Sequence, residues 1–360
     1  MTDPESAPLP ASPPVAGKKI VYWADLVRVI AIYLVVVVHV SGQLTNVWGK
    51  IAEPQWVMAD VYGGIARISV PLFFMISGYL LLPRSESLRA FYTRRMPRIV
   101  IPFIVWSFIY ISLSCAGQPG LCTSDYLLQF ILLKRSYFHL WFLYSLIGIY
   151  FILPLLRLMV RPETDKKVLW YLIVLWLIFQ PVRTLMDQFL HFSLNINAPL
   201  STGFLPYLIL GYLLGELVLT RTRLTLAALL FAVGALITVV GTYMLTRAAG
   251  QFDGYFYDYV TIGVILASAG GFLLLRRLSD LPALSSDRFH SFTRWVAGGT
   301  FGVYLVHVLV LWGLDWIHVN SFIGFALWSV PLVATLVFAI AFVIVRILQK
   351  IPVVNYIIPG

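Results

Sequence analysis

Residues 22–43, YWADLVRVIAIYLVVVVHVSGQ, decide what kind of chain this is. Nineteen of these residues carry no formal charge and no imidazole, and the run is long enough at about 1.5 Å per residue to cross a hydrocarbon core of ~30 Å. Asp25, Arg28 and His39 interrupt it. Each is costly there, roughly 2.5–3.5 kcal/mol for a central charge on insertion scales, so each is a functional candidate by default. Their spacing is regular. Arg28 and His39 are eleven residues apart, close to three helical turns, which puts both on one face and separates them by about 16 Å along the axis. Asp25 precedes Arg28 by three residues and can pair with it on that face.

The rest of the chain agrees with a membrane setting. Of 360 residues, 60% are hydrophobic and 12% charged, and the mean hydropathy is +0.86, far from the soluble average. The net charge of +10 is read as loop topology rather than nucleic-acid binding, because no phosphate-binding glycine loop accompanies it. Residues 1–19 are Pro-, Ala- and Ser-rich and read as a disordered cytoplasmic tail. Ten spans are expected, near 21–42, 60–82, 98–116, 139–159, 168–186, 203–219, 224–245, 257–275, 297–317 and 323–347. The fold class is therefore an all-α polytopic membrane protein, with a ten-helix domain over 20–350 and a short tail at 351–360.

Placing the N-terminus in the cytoplasm puts most of the 26 basic residues on that side. Only Lys50, Lys134, Arg135, Arg183 and Arg247 fall opposite, with Arg28 and Arg67 inside spans. Ten spans then return the C-terminus to the cytoplasm, and the protein is expected to be multi-pass in a cell (inner) membrane. The longer loops, at 43–59, 117–138, 187–202 and 246–256, lie on the outer side and suit recognition. Segment 122–136 reads as an amphipathic helix on that surface. Cys115 and Cys122 flank a turn-prone AGQPGL, where a local disulfide and two free thiols are both open. Two cysteines make neither a disulfide framework nor a zinc site, and no metal is expected.

With this topology the second span returns antiparallel to the first. Arg67 then lies at the depth of His39, and Ser77, Gly78 and Tyr79 lie at the depth of Arg28. An Arg67–His39 cluster near the outer face and an Asp25–Arg28–Ser77 cluster near the inner face would give each polar group a partner. His39 is the candidate general base, since an imidazole can take a proton from a hydroxyl and return it to a leaving group. The bland reading is a neutral histidine bonded between helices. Arg89, Arg94, Arg95 and Arg98 concentrate before the third span, suiting bidentate phosphate binding or simple anchoring to anionic lipid. His307 reads as core packing, His139 as an acceptor contact or part of the aromatic belt, and Glu216 as a partner for a loop arginine. His191, His290 and His318 carry no spacing signal.

Five motifs occur in order: DLVRVIAIYLVVVVHV, RISVPLFFMISGYLLL, RRMPRIVIPFIVWSFIY, FHLWFLYSLIGIYFILPLL and FGVYLVH. Together they resemble the integral-membrane acyltransferase-3 family over about residues 20–347, most closely the branch that O-acetylates surface-polysaccharide precursors. That resemblance implies ten spans, a short acyl-CoA such as acetyl-CoA as donor on the cytoplasmic side with no tightly bound cofactor, and a saccharide or lipid-linked sugar hydroxyl as acceptor at the outer side. It implies paired functional roles for Arg28 and His39. Arg95 and Arg98 match the family's Arg-x-x-Arg motif, and Ser77-Gly78-Tyr79 its Ser-Gly-aromatic motif. The expected catalytic set is His39, Arg28, Asp25 and Arg67, with Arg94, Arg95, Arg98, Ser77, Gly78 and Tyr79 toward the donor. With no hydrolase-like domain after the last span, direct transfer is expected. The rival reading is a secondary transporter or flippase for a lipid-linked or acylated substrate, which the lack of visible repeats disfavours.

Overall fold

The computed structural model describes residues 21–117, 137–161, 163–192 and 203–360, and every regular element among them is helical. The organising helix is α1, Tyr22–Thr45, whose 24 residues rise about 36 Å. Its buried positions, among them Val27, Ala31, Ile32, Val36, Val40 and Leu44, lie around most of its circumference, the pattern of a helix enclosed by others rather than by lipid. Seven further helices follow in pairs or alone. They are α2 (Glu53–Ala66) and α3 (Ser69–Leu81), α4 (Leu88–Arg94) and α5 (Pro97–Gly117), α6 (Trp141–Leu158), α7 (Lys166–Leu185) and α8 (Leu205–Gly215). Then come α9 (Arg221–Ala249), α10 (Ile262–Leu278), α11 (Asp287–Ala297), α12 (Thr300–Trp316) and α13 (Ala326–Leu348). Helices α2, α3, α10, α11, α12 and α13 all pack on α1.

Two spans are broken where proline forbids continuation. Glu53–Leu81 has the length of one 29-residue span, yet the chain leaves helical bonding at Arg67 and Ile68. Pro71 sits in the first turn of α3, where its missing N–H costs nothing; in an unbroken helix its ring would meet the carbonyl of Arg67. Pro97 likewise starts α5, so α4 ends at Arg94 and Arg95 occupies the joint. Side-chain caps hold the polar ends: Ser87 accepts from Ala90 N, Asp165 from Lys167 N and Ser286 from Phe289 N.

Among the described residues eight helices are long and apolar enough to cross a membrane, and nine when α11 and α12, bent by 57° at Gly298–Gly299, are taken as one. The sixth expected span is the exception. Its helix, α8, has 11 residues, about 16 Å, too short to cross alone. All of α8 but Leu205 is buried. A hydropathy window responds to an apolar run and not to what surrounds it, so a helix enclosed by protein reads as a span. Residues 351–360, expected as a tail, fold back: Ile357 accepts from Trp106 Nε1 at 3.1 Å and Ile358 is buried. Cys115 is disulfide-bonded, but Cys122 and the expected surface helix at 122–136 lie outside the described residues.

Helix α8 reaches the core through glycine. A Cβ at Gly78 would run into the backbone of Leu208, and one at Gly211 into the backbone of Met75. The two helices thus approach until backbone meets backbone, the small-residue packing that replaces hydrophobic drive inside a bilayer. Gly78→Leu or Gly211→Val should therefore lower the unfolding temperature in detergent by several degrees, overpacking at such a contact costing about 1–3 kcal/mol or more. Gly148→Ala, where a Cβ meets nothing within 4 Å, should leave it unchanged. Equal unfolding temperatures for all three variants in scanning fluorimetry would contradict the backbone contact.

Candidate active site

The polar residues of α1 lead to two sites at its opposite ends. At the Thr45 end, His39, Arg67, His139, Trp141, Tyr259 and Tyr304 are among the residues lining a cavity of about 500 Å³. Three imidazoles gather here from distant parts of the chain. The ring of His39 lies 5.1 Å from His307 and 6.5 Å from His139, and His139 lies 5.4 Å from His307, centroid to centroid. His139 sits just before α6, and its backbone is fixed by Tyr304, whose hydroxyl donates to its carbonyl at 2.6 Å.

His307 is wholly buried, and its Nδ1 lies 2.7 Å from the Tyr304 carbonyl and 3.1 Å from that of Val303. Carbonyls only accept, so in the neutral ring Nδ1 carries the hydrogen and Nε2 keeps the lone pair. That Nε2 is buried without a hydrogen-bond partner, as are both ring nitrogens of His139. Among the described residues no group of three or more His, Cys, Asp or Glu has a metal-binding arrangement.

The break before α3 presents Arg67 to the same cavity. Its guanidinium lies 4.3 Å over the Tyr257 ring and 5.5 Å from the Tyr259 ring. The Tyr257 hydroxyl donates to Asp60 Oδ1 at 2.7 Å, and Asp60 is fully buried. No carboxylate pairs with Arg67 among the described residues, and its Nε is buried without a partner. A cation held on aromatic faces keeps its hydrogen-bonding capacity for an anion or a developing negative charge.

At the Tyr22 end, Arg28 donates to Asp25 at 3.0 Å. Glu86 accepts from Arg95 at 2.8 Å and from Arg157 at 3.3 Å. Arg84 donates to the Leu80 carbonyl at 2.7 Å, and Arg157 to that of Leu81 at 3.0 Å. These four guanidinium groups cluster about the Tyr150 hydroxyl, and among the described residues Asp25 and Glu86 are the two carboxylates bonded to them. Arg84 is pushed below its ordinary value, first by burial and then by the charge of Arg95.

The expected constellations are rearranged in specific ways. The Asp25–Arg28 pair forms, but Ser77 does not join it: its hydroxyl donates to the Phe73 carbonyl at 2.7 Å, within its own helix. Gly78 packs on α8, and the Tyr79 ring lies 4.8 Å from that of Trp23, tilted by 48°, and covers Gly215. The Arg94–Arg95–Arg98 run is divided by the α4–α5 joint. Arg95 turns to Glu86, whereas Arg94 and Arg98 line a separate groove with Pro352, Asn355 and Tyr356. Glu216 pairs with Lys166 at 3.3 Å instead of a loop arginine. His139, read from sequence as an acceptor contact or part of the aromatic belt, and His307, read as core packing, both come near His39. Their only local signals are an aromatic neighbour and a Tyr-x-x-His spacing, and neither reveals a shared site.

Burial alone raises the Glu86 carboxyl, but the hydrogen bonds and charges of Arg95 and Arg157 outweigh it and hold the group below its usual value. A depressed carboxyl stabilises the fold above its unfolded value and loses that contribution as pH falls through the folded one. Wild type should therefore unfold at a higher temperature than Glu86→Gln at pH 7, the difference closing below about pH 4. A difference unchanged down to pH 3 would show that the ion pairs do not create it.

No curated protein and no solved structure matches the chain. The family model described as an acyltransferase domain, acyltransferase-3, matches residues 21–348, which run from the start of α1 to the end of α13. Both polar ends of α1 and the cavity of His39 fall within that match, and the chain belongs to the acyltransferase-3 family.

Proposed function

We propose that the protein is an O-acyltransferase that moves a short acyl group, acetyl in the first instance, from acyl-CoA to a hydroxyl of a cell-surface saccharide or lipid-linked sugar. Acyl-CoA enters as a cosubstrate at the Tyr22 end, which faces the cytoplasm of an inner membrane, and the acceptor enters at the Thr45 end. The observation that carries this reading is the cavity at the Thr45 end, where His39 and Arg67, a cation with no carboxylate partner among the described residues, face the same space. A base and an oxyanion stabiliser are the two parts that acyl transfer to a hydroxyl needs.

The donor side is supported by charge. Arg28, Arg84, Arg95 and Arg157 exceed their carboxylates by two, and guanidinium is the group suited to the phosphates of CoA. Arg28 and His39 are about 16 Å apart along α1, and an extended pantetheine arm is of that order. The acceptor side is supported by the cavity wall, where Trp141, Trp312 and Phe138 stand beside Asn46 and Asp315. Aromatic faces suit the C–H faces of sugar rings, and amide and carboxylate suit their hydroxyls.

In the transfer, His39 takes the proton of the acceptor hydroxyl as its oxygen attacks the thioester carbonyl. Arg67 faces the oxyanion of the tetrahedral intermediate. The intermediate collapses with cleavage of the C–S bond, the new ester stays on the acceptor, and the CoA thiolate takes the proton back from His39. Acyl group, proton and electron pair are all accounted for, and the enzyme returns to its starting state.

The test is transfer from labelled acetyl-CoA to a cell-envelope saccharide extract by the purified protein in nanodiscs. His39→Ala should lower turnover by about 10²–10⁴-fold with KM for acyl-CoA little changed, as expected for loss of a general base. Arg95→Ala should instead raise that KM by about tenfold or more, the range of one charge-assisted hydrogen bond. Retained turnover in His39→Ala removes His39 from the mechanism. Wild type that neither binds nor consumes a short acyl-CoA overturns the reading.

A further inference from the structure

We infer that His307 is the positioning residue for His39: its fixed lone pair receives an N–H from the His39 ring and so keeps the cavity-facing nitrogen of His39 as the free base. This rests on the acyl-transfer reading for its consequence, but the pairing stands on geometry.

The argument begins with what pins His307. Two carbonyls of its own helix, from Val303 and Tyr304, hold the Nδ1 hydrogen, so Nε2 is obliged to be an acceptor. A buried acceptor left empty costs about 1–3 kcal/mol, and folded proteins rarely leave one so. The neighbouring hydroxyls are committed elsewhere, Tyr304 to the His139 carbonyl and Tyr110 to that of Leu305. The N–H groups left to answer it belong to His39 and His139.

Separation favours His39. A linear N–H···N bond leaves the twist of the two rings about its axis free, so separation and not interplanar angle bears on the choice. The His39 ring is the nearer to His307, at 5.1 Å between centroids against 5.4 Å for His139. The 5.1 Å between the His39 and His307 centroids equals two ring radii plus an N···N contact of about 2.9 Å. The pair is set but not closed: Nε2 has no partner in this structure, and the inferred bond requires the His39 ring to turn an N–H toward it. Contacts of this kind commonly tighten only when substrate is bound.

The consequence is a choice of tautomer. With one nitrogen donating to His307, the other nitrogen of His39 faces the cavity as a lone pair, ready for the acceptor proton. During transfer that nitrogen gains the hydroxyl proton and later gives it to the thiolate, while His307 neither gains nor loses one. The role is that of the orienting partner in a catalytic triad, filled by a neutral acceptor in place of a carboxylate. Among the described residues, the charged and titratable groups around His39 are Arg67 from the α2–α3 break, His139 before α6, Tyr259, Tyr304 and His307, and Asp315 at the end of α12.

Two variants and one spectrum test the pair. His307→Leu removes the acceptor, and His307→Gln supplies a carbonyl oxygen in its place. Leu should lower kcat by about 10²-fold with both KM values unchanged, and Gln should recover activity to within about tenfold of wild type. In ¹⁵N-histidine spectra of the protein in nanodiscs, wild-type His39 should occupy one tautomer, and His307→Leu should release it into a mixture. Wild-type kcat in His307→Leu, or equal losses in both variants with a matching fall in unfolding temperature, overturns the inference. If wild type itself transfers no acyl group, the acyl-transfer reading fails. The spectra then decide the pair alone: one tautomer converted to a mixture by His307→Leu supports it, and a mixture already present in wild type overturns it.

Discussion

A polar group placed in hydrocarbon has to be answered by another, because no water is there to do it. This constraint bears hardest on α1, which carries an ion pair near one end and an imidazole near the other. Asp25 answers Arg28 within one turn. His39 has no such local answer, and the polar groups that stand near it come from elsewhere: His139 from before α6, His307 from α12, Arg67 from the joint between α2 and α3. The bundle around α1 is in effect the set of helices needed to bring those groups to it.

Broken helices make that delivery possible. A continuous helix would have paired the backbone at Arg67 and continued past it; Pro71 prevents this, and the side chain is left at a joint facing the cavity. The joint before Pro97 does the same for Arg95, turning it toward Glu86 while Arg94 and Arg98 face a separate groove. In both cases a proline three or fewer residues into the second helix sets the direction of a nearby arginine. Backbone chemistry here positions charge.

Close approach of backbones supplies the rigidity that such positioning needs. Helix α8 is too short to cross a bilayer and is held by glycines, its own Gly211 against Met75 and Gly78 of α3 against Leu208. Tyr79 then covers Gly215 and meets Trp23 at the start of α1. The Ser-Gly-Tyr run, which lies beside the charged end of α1 in any antiparallel pairing, thereby acts as packing for the helix that holds the site. Asp60 and Tyr257 do comparable work at the other end, setting the ring on which Arg67 rests.

The residues alone settle the class of molecule, the central place of the first helix and the pairing of Asp25 with Arg28, because hydropathy and helical period are local properties that a short window carries. His39 was legible as a candidate for the same reason: its spacing from Arg28 needs nothing outside the helix. The short α8, the division of Arg94 from Arg95 and the meeting of His39 with His139 and His307 were decided by tertiary structure. A window of apolar residues says nothing of what encloses it, and hydropathy leaves the rotation of a buried helix about its own axis open. Three imidazoles that lie 100 or more residues apart along the chain become neighbours only when packing chooses those rotations.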